Sequence, residues 1–225
     1  MKKKSLAALL SGLLTVSLTG VGFASWLITN GSTETTTGNI AVTEVDDKRC
    51  TISGVGITYA KGDSICFGPN AVVNTGWLRA DAATENMTAT VSFTVANTDF
   101  LAGISVSIAQ VNLGSDGVYQ STDELYSATE GSYYTAYSDG YVAALPTEAN
   151  GGIVVSPGTQ VGSTTSKEYT ATITFDWGTD FGGENPFTFY NGKTAAAEAD
   201  NAIAALTALE ALNGAMFKVT ITANV

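Results

Sequence analysis

Apolar and polar residues alternate most regularly between Glu168 and Trp177. Tyr169, Ala171, Ile173, Phe175 and Trp177 fall on one side, and Thr170, Thr172, Thr174 and Asp176 on the other. A period of two with a polar outer face predicts a strand packed on one side only, the habit of antiparallel sheets. The same pattern predicts strands over Thr88–Asn97 (Val91, Phe93 and Val95 inward), Ile104–Asn112 (Ile104, Val106 and Ile108) and Met216–Val225 (Phe217, Val219 and Ile221). Weaker signals predict strands over Asn39–Asp46, Thr51–Ala60 and Ile153–Ser156. In the second of these, Gly54 and Gly56 predict a bulge or bend. The fold class expected is mainly β: an antiparallel β-sandwich or jelly roll with one α-helix inserted near the C-terminus. That helix is Thr194–Leu212, rich in Ala and Leu, with Thr194 as N-cap and Ile203, Leu206, Leu209 and Leu212 on one stripe. Asn213-Gly214 is its stop signal.

Between Leu113 and Gly152 the alternation disappears. This stretch holds Tyr119, Tyr126, Tyr133, Tyr134, Tyr137 and Tyr141, six of the nine tyrosines. So long a connection is either functional or carries structure that periodicity does not reveal. Two readings stay open. The tyrosines cap the sandwich, or they form a contact surface, since Tyr with Ser and Gly suits adaptable recognition.

The N-terminus has a different character. Lys2, Lys3 and Lys4 precede an uncharged apolar run from Leu6 to Phe23, and Gly22 and Ala24 place small residues before a cut between Ala24 and Ser25. This is the layout of an export signal. The run sits at the lower edge of the ~17–25 residues that span a bilayer, and its Gly, Ser and Thr content makes it a weak anchor. Cleavage is therefore expected, with the mature chain outside the membrane. The expected division is a signal peptide at 1–24, an N-terminal segment at 25–38 and one domain at 39–225.

Composition narrows the chemistry. The chain has no histidine, two cysteines and a net charge of −11. Histidine-based triads, His-ligated zinc and cysteine–histidine zinc sites are excluded. An acidic chain poor in Lys and Arg has no footprint for nucleic acid. Asp176, Asp180 and Glu184 recur every four residues in a Gly-rich loop, where hard oxygen ligands suit Ca²⁺, although the spacing is not that of a known calcium loop. No other cofactor is expected, and no pair of carboxylates stands out for glycoside hydrolysis. Asp116 and Asp139 sit in S-D-G turns, where Asp is expected for backbone reasons. Trp77, Trp177, Phe181, Phe187 and Phe189 read as core. Cys50 and Cys66, the only cysteines of an exported chain, are expected to form a disulfide across a glycine-bearing hairpin.

The Lys-rich start, the glycine-containing apolar run and the junction Gly20-Val21-Gly22-Phe23-Ala24-Ser25-Trp26 resemble those of the TasA/camelysin family of secreted Gram-positive proteins. So does Gly38-Asn39-Ile40-Ala41-Val42, a G-x-I/L-x-V/L strand start after a polar stretch. The motif-level match covers about the first 45 residues, and beyond it the Thr-rich β layout is similar. The resemblance implies export through a SipW-type signal peptidase and a jelly-roll subunit of an extracellular biofilm-matrix fibre. The protease activity described for some relatives is not carried over, because this chain has no histidine.

The function expected is that of a non-enzymatic, secreted structural subunit that self-assembles into fibres in the matrix or at the cell surface, with cell-wall or matrix components as further partners. Trp26, Leu27 and Ile28 are too apolar for a solvated tail, and the polar TNGSTETTTG separates them from the first core strand. They are expected to act as a donor strand for the next subunit, or to fold back into their own domain as an edge strand. The alternative function is a carbohydrate- or protein-binding surface module using the tyrosine-rich excursion.

Overall fold

The computed structural model describes residues 23–27, 50–60, 64–67, 71–74, 77–80, 86–190, 201, 204–205 and 207–225. The expected strand at 39–46 and the N-terminal part of the expected helix lie outside them. Two sheets face each other across a shared core. One holds β1 (Phe23–Leu27), β3 (Ile65–Cys66), β7 (Gly103–Gln110) and β11 (Ala215–Asn224) in the order β3-β1-β11-β7. The other holds β2 (Thr51–Tyr59), β6 (Thr88–Ala96), β8 (Ile153–Val155) and β10 (Lys167–Thr174) in the order β2-β6-β10-β8, with β9 (Thr159–Gln160) also paired to β10. A separate hairpin pairs β4 (Ala71–Asn74) with β5 (Trp77–Ala80).

The alternating strands form the sandwich because each can bury one face. Val91, Val95, Ala171, Ile173, Phe217, Val219 and Ile221 are completely buried, while the Thr and Ser residues between them stay at least partly exposed. Side chains from both sheets belong to one apolar cluster, and each buried Val, Ile or Phe contributes roughly 1.5–3 kcal/mol by leaving water. Register follows from the same pattern: β6 and β10 pair from Thr88↔Thr174 to Val95↔Lys167, and β7 and β11 from Gly103↔Asn224 to Gln110↔Phe217. The bulge in β2 falls between Ser53 and Gly56, with Gly54 at φ +61°, a backbone region that favours glycine.

Three features depart from the sequence reading. First, β1 runs parallel to β11, where an all-antiparallel sandwich was expected. Second, the tyrosine-rich excursion contains a helix, α1 (Gly131–Ser138), and a short α2 (Pro186–Tyr190) follows the Gly-rich loop. Its period of 3.6 is masked in α1 by Gly, Ser and Thr, which are weak helix formers. Third, the alternation of β10 outlasts its ladder: Phe175 and Trp177 remain buried past Thr174, and Trp177 bridges to Val142 in the excursion. The C-terminal helix is present in its described part, with residues 201, 204–205 and 207–210 helical. Ala205, Leu209 and Leu212 bury into the common core. The turn after it ends on Gly214 at φ +78°, as the stop signal anticipates.

Candidate functional site

β1 occupies a slot between two strands of its own domain. Ala24, Ser25, Trp26 and Leu27 pair with Ala215, Met216, Phe217 and Lys218 of β11 on one side. Phe23 and Ala24 pair with Cys66 and Ile65 of β3 on the other. Of the expected donor residues, Trp26 and Leu27 therefore lie in β1, as an inner strand, and Ile28 lies outside the described residues. The junction between Ala24 and Ser25 falls within β1. A cut there removes both residues that pair with β3 and leaves Ser25–Leu27 paired with β11.

The far edge of this sheet is covered. The carboxylate of Glu148 accepts the N–H of Val106 on β7 at 2.6 Å. The N–H of Tyr126 donates to the Gln110 carbonyl at 2.9 Å, and Val111 bridges to Leu125. The edge of β7 is thus occupied by the excursion, a common way to block unwanted strand addition.

The excursion folds over β7 around Gln110. This side chain is buried; its Oε1 accepts the Tyr133 N–H at 2.9 Å and its Nε2 donates to Ser132 Oγ at 2.9 Å. Tyr133 is buried at the sheet interface with ring centroids 5.5–5.9 Å from those of Phe67, Phe175 and Phe217, all edge-on. Its hydroxyl donates to the Ala143 carbonyl at 3.0 Å. Burial, and secondarily the Asp176 carboxylate, push its phenol far above the usual tyrosine range. Outside this anchor lies a hollow of about 330 Å³ walled by Tyr126, Tyr134 and Tyr137, with Ile108 and Leu145 among its apolar lining and Glu130 as its carboxylate. The rings of Tyr134 and Tyr137 meet at 57° with centroids 6.2 Å apart. Tyr137 remains 44% exposed. Tyr133 thus closes the core, while Tyr134 and Tyr137 stay at least partly exposed.

The acidic loop does not gather its three carboxylates. Asp176 and Glu184 line an open groove of about 690 Å³ with Trp177, Asn185 and Thr88. Asp180 lies beside Gly140 instead, where its N–H donates to the Gly140 carbonyl at 3.0 Å. With the Asp139 carboxylate, and after burial as the leading cause, Asp180 raises the phenol of Tyr141. Among the described residues, no group of three or more acidic, Cys or His side chains is placed to hold a metal ion. Trp177 and Phe181 are core as expected, and Phe189 packs against the same cluster. The side chains of Trp77 and Phe187 lie outside the described set.

The expected disulfide is corrected. Cys50 and Cys66 are both buried but not bonded to each other. Cys50 precedes β2, its Sγ donating to the Asn97 carbonyl at 3.4 Å, whereas Cys66 pairs with Asn86. Asn86 and Asn97 flank opposite ends of β6, which at ~3.3 Å per residue is roughly 30 Å long. A disulfide requires Cα atoms within ~7 Å. The segment between the cysteines runs the length of one sheet and crosses to the other.

No family model, curated protein or solved structure matches this chain. Among the described residues, no helix is long and apolar enough to cross a membrane.

Proposed function

We propose that this chain is an exported structural subunit that assembles with copies of itself into extracellular fibres by exchanging β1 between neighbours. The observation that carries the reading is the position of β1, held between β3 and β11 by backbone pairing and separated from β2 by more than twenty residues of chain. A strand that fills its own slot fills the same slot of a neighbour equally well. The backbone hydrogen bonds are the same in either place, and the polar stretch before residue 39, at most ~3.5 Å per residue when extended, sets the reach. Donor and slot are different surfaces, so exchange runs head to tail and builds a filament unless the rotation closes a ring. Signal cleavage prepares the exchange. Removing Phe23 and Ala24 abolishes the pairing with β3, so the shortened strand is held along β11 alone. The covered β7 edge supports the same direction of growth, since strand addition there is blocked.

The test uses the mature chain beginning at Ser25, followed by light scattering and electron microscopy. Fibres are expected, and deletion of Ser25–Thr37 is expected to leave a folded monomer. Fibres formed equally well by the deleted chain overturn the exchange mechanism. A monomer that never assembles under any condition overturns the structural role.

A further inference from the structure

The tyrosine-walled hollow beside β7 is independent of the β1 slot, and its lining specifies a ligand. We propose that it binds an organic ammonium group, a methylated one best of all. Four observations lead there. Its volume of about 330 Å³ lies at the low end of the ~300–1,000 Å³ of small-molecule sites, so the ligand is small. Four tyrosines, Tyr126, Tyr133, Tyr134 and Tyr137, are on its lining, and the negative faces of aromatic rings attract a cation, most strongly where water is partly excluded. Glu130 is the carboxylate on its lining, and no Lys or Arg is among the described lining residues. Lys218 lies across from Ala109 on β11 but does not line the hollow. An anion is therefore repelled, and the chain's net charge of −11 adds to the attraction for a cation.

The fourth observation concerns the polar groups of the lining. Its one amide, Gln110, is engaged at both ends, by Tyr133 N–H and by Ser132 Oγ, which leaves the hydroxyls of Tyr126, Tyr134, Tyr137 and Ser127 and the Glu130 carboxylate, itself an acceptor for the Ser127 N–H at 3.4 Å. A methylammonium group uses the carboxylate and needs none of the hydroxyls. Its charge is spread over methyl groups that pack against rings and aliphatic side chains, and one carboxylate balances it. The hollow is also set in place before any ligand arrives. Tyr126 is tied through its N–H to the Gln110 carbonyl and packs on Gly131, and Tyr134 and Tyr137 ride on α1, whose first turn Gln110 holds. Little ordering cost remains for binding.

The experiment is a calorimetric titration of the mature full-length chain with choline and with its uncharged isostere 3,3-dimethylbutan-1-ol. Choline is expected to bind at least roughly tenfold more tightly, the factor a partly desolvated cation–aromatic contact supplies. Tyr137→Leu and Glu130→Gln, both at exposed positions and checked for folding by circular dichroism, are each expected to weaken choline binding severalfold. Cosedimentation with phosphatidylcholine vesicles separates the two sources of the group: retention marks a lipid headgroup as the natural ligand, and choline binding without retention marks a free cation. Equal binding of the uncharged isostere, or no saturable choline binding in the millimolar range, overturns the proposal whatever the variants do. Unchanged choline binding in a folded Tyr137→Leu protein overturns the location.

Discussion

Gln110 Oε1 accepts the backbone N–H of Tyr133 at 2.9 Å, a buried hydrogen bond between residues 23 apart in the chain. It ties the first turn of α1 to the last residue of β7, and the same glutamine holds Tyr126 through its own carbonyl. One residue, through its side chain and its carbonyl, thus joins the excursion to the sandwich.

Gln110→Ala leaves the Tyr133 N–H without its acceptor in a buried place. An unsatisfied buried donor costs about 1–3 kcal/mol. The urea midpoint is expected to fall accordingly, and choline binding to weaken with it, because α1, which carries Tyr134 and Tyr137, loses the side-chain bonds that hold its first turn. A midpoint equal to that of the parent chain shows that α1 is held by other contacts.

The phenol of Tyr133 gives stability a defined pH dependence. Its proton is held far more tightly in the folded chain than in the unfolded one, through burial first and the Asp176 carboxylate second, and an unfolded tyrosine titrates near 10. Above that pH the unfolded chain binds fewer protons than the folded one, so stability falls as pH rises. The contribution is fully present below about pH 10 and is lost above it at about 1.4 kcal/mol per pH unit. The phenols of Tyr141 and Tyr169 are also raised and act in the same sense. Tyr133→Phe is expected to lower stability by about 1 kcal/mol at neutral pH, for the lost bond to the Ala143 carbonyl. Its urea midpoint is then expected to decline less steeply between about pH 10 and 11.5. Parallel declines in the two proteins refute the assignment.

Gly178→Ala is expected to destabilise by at least ~2 kcal/mol. A Cβ there runs into the backbone carbonyl of Gly140 and the backbone of Tyr141. Neither can step aside, because Gly178 N–H bonds to the Tyr141 carbonyl and Asp180 N–H to that of Gly140, each at 3.0 Å. Overpacking against a fixed backbone costs more than against a flexible side chain. A thermal melt within a degree of the parent's contradicts this close approach.

Reducing agent is expected to leave the urea midpoint unchanged, because Cys50 and Cys66 flank opposite ends of β6. Both thiols are 5% exposed, so alkylation is expected to be slow in the native protein and to speed up on unfolding. A stability loss on reduction, with a mass gain of two hydrogen atoms, disproves that separation.

Strands β6, β10 and β11 were legible in the sequence because each buries one face and exposes the other, so their pairing in the fold repeats a pattern already written in the side chains. The β2 bulge and the end of the C-terminal helix were legible for a related reason, since Gly54 and Gly214 adopt backbone angles that favour glycine. The sandwich class followed from these elements alone. Tertiary structure decided the rest. α1 has no apolar stripe of its own; its place comes from Tyr133 entering an aromatic cluster and from Gln110 waiting at the end of β7, both long-range contacts. Asp176, Asp180 and Glu184 share a spacing but not a site, because Gly178 turns the loop against Gly140 and carries Asp180 to another face. The cysteines are close in sequence yet held apart by the length of a strand. β1 pairs parallel to the far end of the chain, a partner that no local pattern names. Local periodicity reports which face of an element is buried, and it cannot report which distant element buries it.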